Sequence, residues 1–128
     1  MTGPSRAGLF VYACDAPRIA GFYEAVLGLS RIHAAGMITV LEGQGMQLIV
    51  HEIPPQIAAT IVIATPPVRR EDTALKFWFT VTSLAAARAV AQGLGGDVDA
   101  QAWEGTGFRV SNAIDPEGNV FQVREPAP

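Results

Sequence analysis

The chain has 128 residues and a mass of 13.5 kDa, which predicts one domain, and its 49% apolar content provides a core and excludes intrinsic disorder. Nine Lys/Arg against twelve Asp/Glu give a net charge of −3, with no basic run beyond Arg69-Arg70, and this excludes nucleic-acid binding as a main role. A single cysteine, Cys14, excludes an intrachain disulfide and any multi-cysteine metal cluster.

The chain opens with Met1-Thr2-Gly3-Pro4, which lacks the basic and apolar regions of a signal peptide. No apolar run approaches the roughly 18–20 residues that span a bilayer, so the expectation is a soluble cytoplasmic protein with no membrane partner. Residues 8–14 alternate as a strand, with Leu9, Val11 and Ala13 on one face and Gly8, Phe10 and Tyr12 on the other. Cys14, in that apolar run, reads as a small buried hydrophobe rather than a reactive thiol. Asp15 is a good N-cap, with Pro17 in the first turn. Ile19, Phe22, Tyr23 and Val26 recur at helical spacing, and Gly28 is placed to end the helix. Strands are predicted near 30–35 and 37–42, broken at Gly36, and over 46–52 after Gly43-Gln44-Gly45.

Residues 53–74 connect this unit to the next. They hold Pro54-Pro55, the apolar run Thr60-Ile61-Val62-Ile63, Pro66-Pro67 and the charged Arg69-Arg70-Glu71-Asp72. So long a loop without structure is uncommon in a compact domain, and the middle is expected to form an extra strand or an arm against a neighbouring subunit. A strand is then predicted over 75–82, with Phe77, Phe79 and Val81 on one face and Lys76, Trp78 and Thr80 on the other. Ser83 caps an Ala-rich helix, 84–93, whose small side chains suit close packing. Strands near 98–103 and 107–113 follow. Asp115-Pro116-Glu117-Gly118-Asn119 is a turn, and the last strand is 119–125.

The plan occurs twice. Gly8 and Lys76 open the two units, Gly28 and Gly96 sit at equivalent helix ends, and Gly45–Glu52 and Gly118–Glu125 close them alike. A duplicated β-α-β unit predicts a two-lobed sheet with a cavity between the lobes. Module one is expected at about 8–52, the connecting arm at 53–74 and module two at about 75–125, all within a single domain of residues 1–128.

Phe22-Tyr23-Glu24-Ala25-Val26-Leu27-Gly28-Leu29 and Asp115-Pro116-Glu117-Gly118-Asn119-Val120-Phe121-Gln122 resemble the two signatures of the glyoxalase/bleomycin-resistance/extradiol-dioxygenase superfamily, also called the vicinal oxygen chelate superfamily. The resemblance spans about residues 8–125. It implies an α+β fold of two tandem βαβββ modules forming a curved, partly open mixed sheet around a cavity. It also implies that metal-dependent members place His or Glu at the start of each module's first strand and in the middle of its last. Carried onto this chain, those positions are Gly8, Lys76, Ile49 and Gln122. Glycine and isoleucine offer no donor atom, a protonated lysine has no lone pair, and a neutral amide is a weak ligand for a hard cation. The expectation is therefore no metal and no other cofactor. A register shift of two would turn His51 inward, but catalytic metal sites need about three protein ligands. His33 reads as a polar residue on a strand edge or in an exposed turn.

If alternation holds, Phe10, Tyr12, Trp78 and Thr80 face the cavity with Lys76 and Gln122, and Trp103 joins them. A concave aromatic wall with a few convergent polar groups describes a small-molecule site. The candidate ligand-binding set is Phe10, Tyr12, Ile49, His51, Lys76, Trp78, Trp103 and Gln122. Lys76 is the only fixed charge on these inferred faces. It is open to pairing with a ligand carboxylate or phosphate, to acting as a base or imine former, or simply to being solvated at the rim. The aromatics are equally open to core or dimer packing. Glu52 and Glu125, at matching strand ends, read as exposed or structural.

Three functions follow in order. The first is a metal-free binding protein of the bleomycin-resistance type for a small aromatic or amphipathic molecule. The second is a metal-independent isomerase or lyase using Lys76 as catalytic residue, with Tyr12 or His51; a metal-dependent glyoxalase or dioxygenase with atypical ligands stands beside it. The third is a structural or regulatory module whose aromatic face is an interface. Sheet edges and the 53–74 arm make a homodimer the expected assembly.

Overall fold

The computed structural model describes residues 5–128, so the Met1–Pro4 segment considered above lies outside the described residues. The first half runs β1 (Gly8–Ala13), α1 (Ala16–Leu27), β2 (Ser30–Ala35), β3 (Ile38–Gly43) and β4 (Met46–Glu52). A short helix α2 (Pro55–Ala58) begins the connection. The second half runs β5 (Trp78–Thr80), α3 (Leu84–Gly93), β6 (Asp97–Val98), β7 (Trp103–Gly105), β8 (Phe108–Ile114) and β9 (Val120–Pro126).

Each half folds the same way. β1 lies parallel to β4, and the first sheet has the order β1-β4-β3-β2. β5 lies parallel to β9, and the second sheet has the order β5-β9-β8-β6, with β7 paired to β8. The α+β class with two βαβββ modules is therefore as expected, built as two open sheets of four and five strands.

Local chemistry explains the helices. The Asp15 carboxylate accepts from Arg18 N at 3.2 Å, and Gly28 ends α1 in the left-handed region at φ 66°. Ile19, Phe22, Tyr23 and Val26 are all buried, so α1 lays its apolar stripe on the sheet. Ser83 Oγ accepts from Ala86 N at 3.1 Å to start α3. Leu84, Ala87 and Ala91 are its buried side chains, and the small alanines let α3 lie close against α1.

The two halves share one core. Phe121 of β9 meets Phe22 and Tyr23 of α1 edge-on at 6.1 and 5.3 Å, and stacks on Phe77 at 5.4 Å. The Asp115–Asn119 turn fastens the halves further. Tyr23 Oη donates to Asp115 Oδ2 at 2.6 Å, while the Glu117 carboxylate accepts from Cys14 N at 2.9 Å and Asp15 N at 2.7 Å. Asp115 also accepts from Glu117 N, Asn119 N and Asn119 Nδ2, so both its oxygens are saturated although the residue is fully buried. Burial pushes the Asp115 carboxyl above the usual carboxylate range, and these hydrogen bonds oppose that rise.

Three expectations are corrected. No extra strand forms over Thr60–Ile63, because the amides of Thr60 and Ile61 already bond the carbonyls of Ile57 and Ala58 at the end of α2. Only Arg70 of the connection joins a sheet, through a single bridge to Asn119. The strand expected over 75–82 is regular only at Trp78–Thr80, where β9 lies alongside, though Phe77 O and Val81 N still bond β9. The strand expected near 98–103 is two short pieces. Arg88 of α3 donates to Val98 O and Asp99 O at 2.7 Å each, drawing those carbonyls out of the sheet between β6 and β7.

No helix among the described residues is long and apolar enough to cross a membrane.

Candidate functional site

Strand alternation gives each sheet a buried face under the helices and an open face on the other side. On the first sheet Val11, Ala13, Leu48 and Val50 are buried beneath α1. Phe10 and Tyr12 therefore point to the open face, and the register sets Phe10 beside Ile49 and Tyr12 beside His51. The three rings cluster, with centroids 5.9 Å apart for Phe10–Tyr12, 5.5 Å for Tyr12–His51 and 6.5 Å for Phe10–His51. His51 Nδ1 lies 2.8 Å from Glu52 O. A carbonyl only accepts, so Nδ1 is the donor in this contact.

On the second sheet Phe79, Phe121 and Val123 are buried, and Trp78, Gln122 and Arg124 take the open face. Asn112 of β8 lies opposite Gln122. Its Oδ1 accepts from Gln122 Nε2 at 3.3 Å and from Lys76 Nζ at 3.4 Å. Lys76 itself precedes β5 and is exposed. Trp103 reaches the same face from β7, opposite Val110. The aromatics of the two faces are half open to solvent: Phe10 50%, Tyr12 58%, Trp78 47% and Trp103 44%.

A cleft of about 480 Å³ lies between β1 and the segment 73–77. It brings Phe10 and Tyr12 of the first half together with Arg70, Thr73, Lys76 and Phe77 of the connection and second half. Of the sequence-predicted residues, Phe10, Tyr12 and Lys76 line this cleft. Ile49 and His51 stand beside Phe10 and Tyr12 on the open face of the first sheet, while Trp78, Gln122 and Trp103 extend the open face of the second.

Lys76 is not the only charge on these faces. Arg124 shares the open face with Gln122, and its guanidinium carbon lies 3.8 Å from the Trp78 ring centroid and 4.1 Å from that of Phe108. The alternation Val120, Gln122, Arg124 carried that signal in the sequence. Arg70 is a second addition, and nothing local in the sequence marked it, because the single bridge to Asn119 places it.

The residues at the four positions to which the resemblance assigns metal ligands offer no donor set for a divalent cation. Gly8 has no side chain, and a Cβ there would sit 2.9 Å from Gln47 O. Ile49 is aliphatic, Lys76 brings an ammonium, and the Gln122 amide donates to Asn112. Among the described residues no three His, Cys, Asp or Glu side chains gather as a ligand set.

Cys14 is half-buried just past β1, and burial, with Glu117 nearby, raises its thiol pKa against the opposing pull of Arg70. His33 lies exposed on the edge strand β2. Glu125 accepts from Leu84 N at 2.6 Å, anchoring the start of α3 to β9.

Two open sheets, each with a helix behind it and a cleft where the halves meet, define a paired-module α+β scaffold. The chain belongs to the glyoxalase-like domain family, whose model matches residues 8–124, and so to the glyoxalase/bleomycin-resistance/dioxygenase superfamily. Solved structures share the fold at low identity. A glyoxalase/bleomycin resistance protein/dioxygenase family enzyme from Burkholderia phytofirmans PsJN is 17% identical with a TM-score of 0.66, covering 94% of this chain and 97% of that one. A glyoxalase/bleomycin resistance protein from Albidiferax ferrireducens T118 is 16% identical with a TM-score of 0.66, covering 94% and 98%. The fosfomycin resistance protein FosX from Mesorhizobium loti is 12% identical with a TM-score of 0.62, covering 99% and 94%. No curated protein matches the chain by sequence.

Proposed function

We propose that this protein binds a small aromatic or amphipathic organic molecule between its two modules, without a metal or other cofactor, and that it does so as a homodimer. The observation that carries the reading is the cleft of about 480 Å³, in which two half-open aromatic rings meet Lys76. That volume lies in the range of small-molecule sites, and its mix of apolar wall and a few polar groups is the usual composition of one. Residues 8–52 and 75–125 act as the two modules of one domain, with 53–74 as the arm between them. Tyr12, Ile49, His51, Trp78, Trp103 and Gln122 contribute contact surface, and Lys76 pairs with a polar group of the ligand. A second copy covers the open aromatic faces and the free sheet edges, which supports the dimer.

Native mass spectrometry of protein purified without chelator tests this. The expected masses are those of the bare dimer or of the dimer with an organic ligand of a few hundred daltons. A stoichiometric Zn, Ni, Mn or Fe adduct refutes the metal-free reading.

A second reading is a metal-independent isomerase or lyase in the same cytoplasmic setting, and it draws on Lys76 and Tyr12 lining one cleft. The two separate on Lys76→Met. A binding protein loses affinity, whereas an enzyme loses turnover of a substrate it still binds.

A further inference from the structure

We infer that the ligand carries an oxyanion, a carboxylate or phosphoryl group, and that Arg124 with Lys76 receives it on the open face of the second sheet. The inference rests on the small-molecule reading above and adds the chemical class of the ligand.

Arg124 is the central observation. Its guanidinium lies between the rings of Trp78 and Phe108, at 3.8 and 4.1 Å from their centroids. The rings strip water from its faces and hold its plane, leaving its edge as the donor surface. Its Nε is buried and has no hydrogen-bond partner among the described residues. Among the described residues no carboxylate pairs with it either. Arg31, Arg69 and Arg109 each pair with an acid, namely Glu24, Asp99 and Glu125. Glu125, next to Arg124 in sequence, points to the opposite face and spends its carboxylate on Leu84 N and Arg109. A partly desolvated guanidinium with no acid beside it gains most from an anion at its edge.

The surroundings agree. The side chains that β5, β8 and β9 turn to this face include Trp78, Thr80, Asn112, Gln122 and Arg124, and Asp99, an acid that borders Lys76 and Asn112, is already paired with Arg69. Gln122 precedes Arg124 on the same face by about 7 Å of strand. Asn112 joins Gln122 to the ammonium of Lys76. The result is a strip of two cations and two amides beside two aromatic rings, in a chain whose net charge is −3. The corresponding face of the first sheet carries Phe10, Tyr12 and Ile49, which suits the hydrocarbon part of the same ligand.

The test is titration of the full chain with benzoate, phenyl phosphate and benzamide, followed by tryptophan fluorescence, since Trp78 contacts Arg124 directly. Benzoate or phenyl phosphate is expected to bind at least about tenfold tighter than the neutral, near-isosteric benzamide, with the advantage shrinking as salt rises. The tighter of the two anions identifies carboxylate or phosphoryl as the natural group. Arg124→Gln, checked for folding by circular dichroism, is expected to bring anion and amide within about twofold of each other, and Lys76→Met to narrow the gap part of the way. Equal affinity of wild type for benzoate, phenyl phosphate and benzamide overturns the oxyanion inference while leaving the small-molecule reading standing. So does an anion preference that survives Arg124→Gln. Binding of none of the three at millimolar concentration overturns both. The wild-type comparison needs no variant, so a misfolded Arg124→Gln does not spare the inference.

Discussion

Glu117→Gln isolates the clamp that sets one module against the other. The Glu117 side chain is 5% exposed, and its two oxygens accept from the consecutive amides of Cys14 and Asp15, at the corner between β1 and α1. Hydrogen bonds to a charged acceptor contribute about 1.5–3 kcal/mol each. Gln keeps the shape and one accepting oxygen but turns an NH₂ toward the other backbone N–H. One bond is lost and two donors face each other in a buried place. Some of that loss is offset, because a buried carboxylate no longer has to be desolvated. The net cost is about 2 kcal/mol. One kcal/mol shifts Tm by about 4–8 °C in domains of 60–100 residues and about 2–4 °C at 150–250 residues, so a fall of about 6–10 °C is expected for this chain. Differential scanning calorimetry measures the shift, with Glu104→Gln as control, since Glu104 is exposed on the edge strand β7. Amide hydrogen exchange locates it, because Cys14 and Asp15 should lose protection in the variant. A Glu117→Gln protein that melts within about 2 °C of wild type, with both amides still protected, refutes the clamp.

Four further substitutions probe the same framework. Tyr23 is fully buried, and burial together with the neighbouring Asp115 holds its hydroxyl pKa well above the usual value of 10, so the fold favours the neutral phenol. That contribution is present below pH 10 and lost as pH rises beyond it. Tyr23→Phe should therefore cost about 1–3 kcal/mol in urea melts at pH 7 yet fall less steeply than wild type above pH 10. Two glycines predict opposite signs. Gly118 has φ 91° and a Cβ there would collide with the Val68 carbonyl, so Gly118→Ala should cost more than about 2 kcal/mol. Gly21 lies in α1 with nothing within 4 Å of its would-be Cβ, so Gly21→Ala should stabilise by about 0.5–1 kcal/mol, read as a higher Tm. Gln44 bonds both backbone groups of Thr80, at 2.6 and 3.2 Å, acting as a strand surrogate on the edge of β5. Gln44→Ala should cost about 1–2 kcal/mol and speed exchange of the Thr80 amide.

Elements whose cause is local were legible in the sequence. Asp15 and Gly28 bound α1, Ser83 starts α3, and alternation alone put Phe10 and Tyr12 opposite Val11 and Ala13. What was not legible is set by residues far apart. Nothing near residue 98 announces that Arg88 will take two carbonyls and break a strand. The 115–119 segment reads correctly as a turn, yet its acids look solvated until Tyr23 and the Cys14–Asp15 amides arrive from about a hundred residues away. Arg124 differs in kind. The same alternation that placed Gln122 on the open face placed Arg124 there too, but the rings that hold it come from β5 and β8.

Duplication makes the two open faces comparable place by place, and the comparison is where a functional asymmetry emerges. Phe10, Tyr12, Ile49 and His51 of the first sheet correspond to Trp78, Thr80, Gln122 and Arg124 of the second, through equivalent parallel registers. The backbone plan is shared, but the chemistry has diverged. One face became aromatic and apolar, with a single imidazole, and the other gained an amide and a guanidinium beside Lys76. For stability alone a guanidinium left without an acid is a poor choice, since a hydrophobic residue of similar volume between Trp78 and Phe108 fills the space without a buried unpaired donor. Arg124→Met therefore separates stability from binding. It should leave Tm unchanged or raise it, while abolishing any preference for an aryl anion over its amide. A large fall in Tm would make Arg124 a structural residue and remove the reason for assigning it to a ligand.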